Sequence, residues 1–222
     1  MSRPGGQGPG RLSVVAAKPA LHLAQDADAD ALLSRDPFAL LVGMLLDQQF
    51  PMERAFAGPY RLAQRLGTPK RFDPAAVAAA DPQTFSDLAA TPPGIHRYPR
   101  SMATRIQALA QVVVDQYDGK AQTLWLTAPD GATLYARLKA LPGYGDQKAK
   151  IFTALLGKQL GVRPTGWEAA AGVYAERGSR RSIADVVDAQ TLGEVRAFKQ
   201  EAKASAKAAA PAPTRPKAAK SS

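Results

Sequence analysis

The sequence predicts an all-α protein, and three observations support this fold class. Apolar residues recur every three or four positions through most of residues 20–198, which is the period of a helix that buries one face. Asp-Pro occurs three times in front of such a stretch, where it pairs an N-cap side chain with a proline at the first helical position. No stretch of four or more residues alternates apolar with polar side chains, except "RLSVVA" at 11–16.

This periodicity predicts eight helices with short loops between them. They are 37–48, 52–66, 74–80, 82–90, 100–117, 131–141, 146–160 and 191–208. The three N-cap residues before proline are Asp36, Asp73 and Asp81. The glycines that end three of the helices are Gly67, Gly119 and Gly161.

The net charge of +10 lies mostly at the two ends of the 222-residue chain. Residues 1–18 contain three basic and no acidic side chains, and residues 199–222 contain six basic side chains against Glu201. The latter stretch is rich in Lys, Ala and Pro and too poor in apolar side chains to pack, so it is either a solubilising tail or a positive charge near a polyanion. We therefore predict a disordered tail over 1–19, one helical domain over 20–198 and a basic tail over 199–222.

Cysteine is absent, which excludes disulfides, iron–sulfur clusters and thiolate zinc sites. The chain has no run of about 18 apolar residues, and its start lacks the apolar centre of a signal peptide. The two histidines, His22 and His96, are too few to form a metal site. A soluble cytoplasmic protein without membrane segments is expected.

The stretch "LPGYGDQKAKIF" at 141–152 predicts a short hairpin between two helices. Gly143 and Gly145 permit positive φ and lack a Cβ, so another molecule can approach the backbone closely. The next helix begins directly after them, and its first unpaired N–H groups face the same side as the turn. The pattern is either a tight helix–helix turn without a ligand or a phosphate site reinforced by Lys148 and Lys150.

Three stretches occur in an order that is typical of one family. Residues 138–149, "LKALPGYGDQKA", are similar to a DNA-binding hairpin. Residues 36–49, "DPFALLVGMLLDQQ", are similar to a helix that ends in a glutamine element facing DNA. Residues 92–111 are similar to the loop and long helix that precede such a hairpin. Together they resemble the helix-hairpin-helix (HhH-GPD) DNA glycosylases of base excision repair, the superfamily of endonuclease III and alkyladenine glycosylases. The resemblance covers about residues 20–198 and implies two helical subdomains around a DNA-facing cleft.

The resemblance assigns roles to individual residues. A monovalent cation that contacts a DNA phosphate would be held by three hairpin carbonyls. These are the backbone carbonyls of Lys139, Leu141 and Tyr144. The phosphates beside the lesion would be bound by three backbone amides. These are the amides of Gly143, Gly145 and Gln147. Tyr144, Lys148 and Lys150 complete the DNA-facing part of the hairpin. Gln48 and Gln49 would fill the gap that a flipped nucleotide leaves in the duplex, which offsets part of the cost of unstacking.

The chain departs from the family pattern at the two positions that carry chemistry. Gln147 occupies the place of the lysine nucleophile of bifunctional members, and Lys148 follows about 100° further round the helix. The region that usually holds the catalytic aspartate reads "GVRPTGWEAAAG", where the nearest acid is Glu168 and Trp167 either stacks on a base or packs in the core. Glu168 therefore takes the catalytic role, or Asp47 takes it from the other wall of the cleft, or the protein binds DNA without cutting it.

The function expected from the sequence is that of a monofunctional DNA glycosylase in base excision repair. It would act as a monomer on double-stranded DNA near the nucleoid, and would need no cofactor apart from a cation at the hairpin. The main alternative is a non-catalytic DNA-binding protein that kept the hairpin and lost the catalytic aspartate. A third alternative is a structural helical domain whose lysine tail binds acidic partners.

Overall fold

The computed structural model describes residues 20–209. Over this range the chain forms α-helices, two short 3₁₀ helices and no β-strand, which confirms the predicted all-α class. The α-helices are α1 (Ala27–Arg35), α2 (Pro37–Leu46), α3 (Met52–Arg65), α4 (Pro74–Ala79), α5 (Pro82–Ala90), α6 (Pro99–Tyr117), α7 (Thr123–Leu126), α8 (Gly131–Lys139), α9 (Asp146–Gln159), α10 (Trp167–Ala171) and α11 (Ala189–Ala209). The 3₁₀ helices are Gly172–Ala175 and Ile183–Asp185. "RLSVVA" and most of both predicted tails lie outside the described residues.

The three Asp-Pro pairs begin helices as predicted. The carboxylate of Asp36 accepts the Ala39 amide at 3.0 Å, and that of Asp81 accepts the Thr84 amide at 2.8 Å. Asp73 caps α4 in the same way. Each side chain satisfies an amide that has no partner within its own helix. The starts of α2, α4 and α5 are therefore fixed by local chemistry.

Several elements differ from the prediction. Helix α1 and the short helices α7 and α10 are not among the eight predicted helices. Helices α7 and α10 have only four or five residues, which are too few to show a helical period. Helix α2 ends at Leu46, two residues before its predicted end, because Asp47 leaves the helical region at ψ 72°. Helix α11 corresponds to the helix predicted over 191–208, and it crosses the predicted domain boundary at 198.

One apolar core runs through the described residues. Helix α2 is buried from Phe38 to Leu46, as expected for a helix that is apolar on all sides. Helix α3 packs against it so closely that a Cβ on Gly43 would lie 2.6 Å from the Phe56 ring. Helices α4 and α5 pack on α6, while α8 and α10 pack on α9. Because this core is continuous, the division into two subdomains remains a prediction.

Candidate functional site

The predicted hairpin is formed by the turn between α8 and α9. Gly143 has φ +77°, which favours glycine, and the Tyr144 amide donates to the Leu141 carbonyl at 3.0 Å to close the turn. Gly145 differs from Gly143, since its φ of −118° is open to any residue. A Cβ on Gly145 would meet nothing within 4 Å, whereas one on Gly143 would lie 2.2 Å from Leu45. Gly143 therefore shapes the turn, and Gly145 leaves open space outside it.

The side chain of Tyr144 points away from this open space and into the core. Its hydroxyl donates to the Leu41 carbonyl at 2.8 Å, and its ring packs edge-on against Phe152. Burial raises the pKa of the phenol well above its usual value, so it remains neutral. Of the DNA-facing roles predicted for Tyr144, only those of its backbone are compatible with this orientation. The hydroxyl ties the hairpin to α2.

The two lysines of α9 have different surroundings. Lys150 is half-exposed and pairs with Asp146 one turn earlier at 3.0 Å. Lys148 is partly buried, and its ammonium donates to the carbonyl of Leu45 at the end of α2. Burial lowers the pKa of Lys148 to about 8, against the attraction of Asp47. Lys148 is therefore held between α9 and α2 rather than extended towards solvent.

Gln48 and Gln49 follow α2 and differ in how firmly they are held. The Gln48 side chain donates to the Leu45 carbonyl at 3.0 Å. The backbone carbonyl of Gln48 lies 2.9 Å from Nε2 of the buried His96 ring. Nδ1 of the same ring accepts the backbone amide of Tyr98 at 3.1 Å. This arrangement makes Nε2 the donor, and burial lowers the pKa of His96, which favours the neutral ring. Gln49 is exposed at φ +51°, so it projects from a fixed support.

A cleft of about 840 Å³ brings the predicted hairpin helix and glutamine pair together. Its walls come from residues within 44–52, 147–151, 173–181 and 196–202. Asp47, Gln48 and Gln49 line one wall, and Gln147 and Lys148 line another. The Gln147 amide donates to the Tyr174 hydroxyl at 3.0 Å. Five of the predicted site residues therefore surround one cavity.

Asp47 is the acid among the described residues that line this cleft. Its side chain is only 10 % exposed, and burial raises the pKa of its carboxyl. Lys199 and Lys148 oppose that rise, while Glu53 adds to it. The Lys199 ammonium lies 4.0 Å from the Asp47 carboxylate. Asp47 thus combines a desolvated carboxylate with two nearby cations, Lys199 of α11 and Lys148 of α9.

The glutamine pair and the hairpin follow each other along the chain in the order that the sequence resemblance implied, and residues of both regions line one cleft. A family model described as "HhH-GPD superfamily base excision DNA repair protein" matches residues 42–213, which include all three. The chain belongs to the HhH-GPD superfamily. This membership assigns it to base excision repair, with DNA as its substrate. Comparison with curated proteins and with solved structures gave no match.

Glu168, which the resemblance offered as one candidate for the catalytic acid, does not line the cleft of this HhH-GPD protein. It is exposed at the start of α10 and lines a separate pocket of about 280 Å³ with Lys158 and Arg163. Lys158 and Lys148 are ten residues apart on α9, a separation of about 15 Å along the helix axis. The chain turns at Gly166, whose φ is +76°, and α10 then packs at the far end of α9.

Trp167 packs on protein rather than facing the cleft. A Cβ on Gly157 would lie 2.3 Å from its ring, so the glycine makes room for the indole against α9. The guanidinium of Arg163 lies 5.9 Å from the centre of the same ring. Of the two roles that the sequence left open for Trp167, this contact favours packing.

The cleft also contains residues that the sequence reasoning did not identify. Arg181, Arg196 and Lys199 add basic side chains, and Phe198 and Tyr174 add aromatic surface. The cation of Arg181 lies 5.3 Å from the Phe198 ring centre. None of these residues belongs to a motif, and Lys199 fell within the predicted tail. Only the continued helical period through 191–208 indicated that this stretch is ordered.

The described residues have two further properties that bear on ligands. No helix within 20–209 is both long and apolar enough to cross a membrane. Over the same range no three His, Asp or Glu side chains cluster as metal ligands. A cation at the hairpin would instead use carbonyls, and that of Leu141 keeps a second lone pair after accepting the Tyr144 amide.

Proposed function

We propose that this protein is a monofunctional DNA glycosylase that hydrolyses the N-glycosidic bond of a damaged base flipped into the cleft. The observation that carries this proposal is the position of Asp47. Its carboxylate lies in the cleft directly before the glutamine pair, with Lys148 of α9 on another wall. Glu168, the acid nearer to the family position in sequence, lines another pocket. The catalytic carboxylate is therefore assigned to Asp47.

A carboxylate in this place can assist glycosidic bond cleavage in two ways. It stabilises the positive charge that develops on the sugar, and it accepts a proton from the attacking water. Burial raises the pKa of Asp47, which makes the carboxylate a stronger base. The nearby charges of Lys148 and Lys199 favour its ionised form. Both effects are strongest when a bound duplex keeps bulk water out of the cleft.

The residues around Asp47 supply the means of holding an opened duplex. Gln49 lines the cleft and would fill the space of a flipped nucleotide, while His96 holds the backbone carbonyl of Gln48. The amides of Gly143, Gly145 and Gln147 would bind phosphates, which positions the DNA without reading its sequence. The carbonyls of Lys139, Leu141 and Tyr144 would hold a monovalent cation, for which uncharged oxygen ligands are suitable.

The test is excision from duplexes that carry uracil, hypoxanthine, alkylated purines or oxidised bases. Wild type is expected to release one class of base and leave abasic sites that break only in alkali. Asp47→Asn should slow release by about 10²-fold or more while duplex affinity is maintained. Glu168→Gln is the matched control and should keep wild-type activity. Loss of activity in Glu168→Gln alone would refute the assignment, and tight binding without excision of any base would favour the non-catalytic alternative.

Lys148 supports a second candidate function, cleavage through an amine nucleophile. Lys148 lines the cleft, and its pKa of about 8 leaves part of the amine unprotonated near neutral pH. Borohydride would then trap a covalent adduct between protein and DNA. The monofunctional proposal expects no adduct in wild type. An adduct that is absent in Lys148→Met would instead establish lyase chemistry at this residue.

A further inference from the structure

We propose that Lys199 of α11 is a positioning residue of the cleft and that its ammonium keeps the Asp47 carboxylate ionised. The inference rests on the proposed function, since it concerns the carboxylate assigned to catalysis. It adds the C-terminal helix α11 to a site otherwise built from the hairpin and the glutamine pair. The family resemblance gave no role to any residue of α11.

Several contacts bring Lys199 to this place. Leu192 and Val195 of α11 are buried in the core, and Arg196 pairs with Glu53 of α3. One helical turn after Val195, the Lys199 ammonium lies 4.0 Å from the Asp47 carboxylate and 3.2 Å from the sulfur of Met52. The first half of α11 is thus anchored beside α3, and Lys199 is the residue that reaches from it to Asp47.

Four charged side chains determine the electrostatic environment of Asp47. Lys148 approaches from α9 and Lys199 from α11, whereas Glu53 of α3 opposes ionisation. Glu53 is itself paired with Arg196, which reduces its repulsion of Asp47. Lys148 is partly buried, and its pKa of about 8 means that its charge declines in weakly alkaline solution. Lys199 makes the larger of the two attractions that lower the pKa of Asp47.

The expected consequence is a shift in the pH at which Asp47 gains its proton. Burial raises the pKa of this carboxyl, and Lys199 counters part of the rise. Without Lys199 the pKa must rise further, so the ionised form is lost at a higher pH. An opposite charge 4 to 6 Å away typically lowers a carboxyl pKa by about 1–3 units. Because the Lys199 side chain is 41 % exposed, we expect a shift of about one unit.

The experiment is a carboxyl carbon NMR titration of Asp47 in the full-length protein, assigned by comparison with Asp47→Asn. Lys199→Met is expected to raise the Asp47 pKa by about one unit, and Lys199→Arg should restore most of it. The matched control is Lys203→Met, which removes the same charge one turn, about 6 Å, further along α11 and should leave the titration unchanged. An Asp47 pKa that is equal in wild type and Lys199→Met, with both proteins folded, would overturn the inference.

Excision measured against pH separates this inference from the proposed function. If the inference and the proposed function are both correct, the acidic limb of the rate–pH profile in Lys199→Met moves to higher pH by the same amount as the Asp47 pKa. In Lys199→Arg the limb returns close to its wild-type position. If Asp47→Asn abolishes excision while neither the NMR titration nor the limb moves in Lys199→Met, the role of Lys199 is wrong and the proposed function stands. If the titration moves but Asp47→Asn excises normally, Lys199 controls the carboxylate and the catalytic assignment is wrong.

Discussion

Replacement of the two hairpin glycines by alanine should separate folding from DNA contact. At Gly143 the backbone is left-handed, which costs an L-residue about 1–2 kcal/mol. The new Cβ would also lie 2.2 Å from the terminal carbon of fully buried Leu45, and such overpacking costs about 1–3 kcal/mol. Gly143→Ala should therefore lower the free energy of unfolding by about 2–5 kcal/mol. Urea denaturation followed by circular dichroism measures this change.

Gly145→Ala is the matched variant, and we expect it to leave the fold almost unaffected. Its φ of −118° suits alanine, and a Cβ would meet nothing within 4 Å. Alanine is a poorer N-cap than glycine by about 0.5–1 kcal/mol, but it stiffens the unfolded chain and so recovers about 0.4–1 kcal/mol. The added methyl group would point into the space that a phosphate is proposed to occupy. Displacement of one charge-assisted hydrogen bond should weaken duplex binding about tenfold or more.

Fluorescence anisotropy with a labelled duplex, measured over a series of salt concentrations, tests the binding half of this pair. The loss in Gly145→Ala should be similar for duplexes of different sequence, since phosphate contacts carry no sequence information. Wild-type affinity in Gly145→Ala would show that DNA does not approach the hairpin backbone. Wild-type stability in Gly143→Ala would refute the argument from strain and overpacking.

Three further outcomes concern stability. Gly157→Ala should lower the free energy of unfolding by about 1–3 kcal/mol, because a Cβ would lie 2.3 Å from the Trp167 ring; urea denaturation checks this, and duplex affinity should not change. Asp185→Asn should cost about 3–5 kcal/mol in the same assay, because it removes the carboxylate charge that pairs at 2.6 Å with the ammonium of Lys158, a side chain only 16 % exposed. Lys148→Met should raise stability at pH 7 by about 1–3 kcal/mol. Denaturation at several pH values should show that gain shrink towards pH 10, since above about 8 the folded amine is already neutral while the unfolded lysine keeps its proton.

Features set by short-range chemistry could be predicted from the sequence. The carboxylate of Asp36 caps the amide of Ala39, three residues away, so the start of α2 is encoded within one helical turn. The hairpin between α8 and α9 is equally local, because Gly143 and the bond between Tyr144 and Leu141 lie within the turn itself. The sequence did not distinguish Gly143 from Gly145, because any glycine is able to adopt positive φ and only the structure shows that Gly143 does so.

Features set by long-range packing could not be predicted in this way. The sequence position of Glu168 suggested the family's catalytic acid, but the turn at Gly166 and the packing of Trp167 on α9 direct α10 to another pocket. Lys199 appeared to begin a tail, since no local signal shows that α11 would be anchored beside α3. His96 gave no sign of supporting Gln48, which is 48 residues away. The contacts of Lys199 and His96 join residues that are distant in sequence, and the packing of Trp167 on Gly157 joins two elements across ten residues.

The hydroxyl of Tyr144 and the carbonyl of Leu41, described above as a tie between the hairpin and α2, also constrain the order of folding. They are 103 residues apart, as are Lys148 and Leu45, and the contact between Lys199 and Met52 spans 147 residues. Contacts of such separation form only after a long loop has closed, and in a nascent chain only after the second partner has been synthesised. The glutamine pair that follows α2 therefore lines a complete cleft only after α9 and α11 have packed against it. A ribosome-bound chain that ends before α11 lacks Arg196, Phe198 and Lys199, so the cleft is complete only after these lining residues have been synthesised.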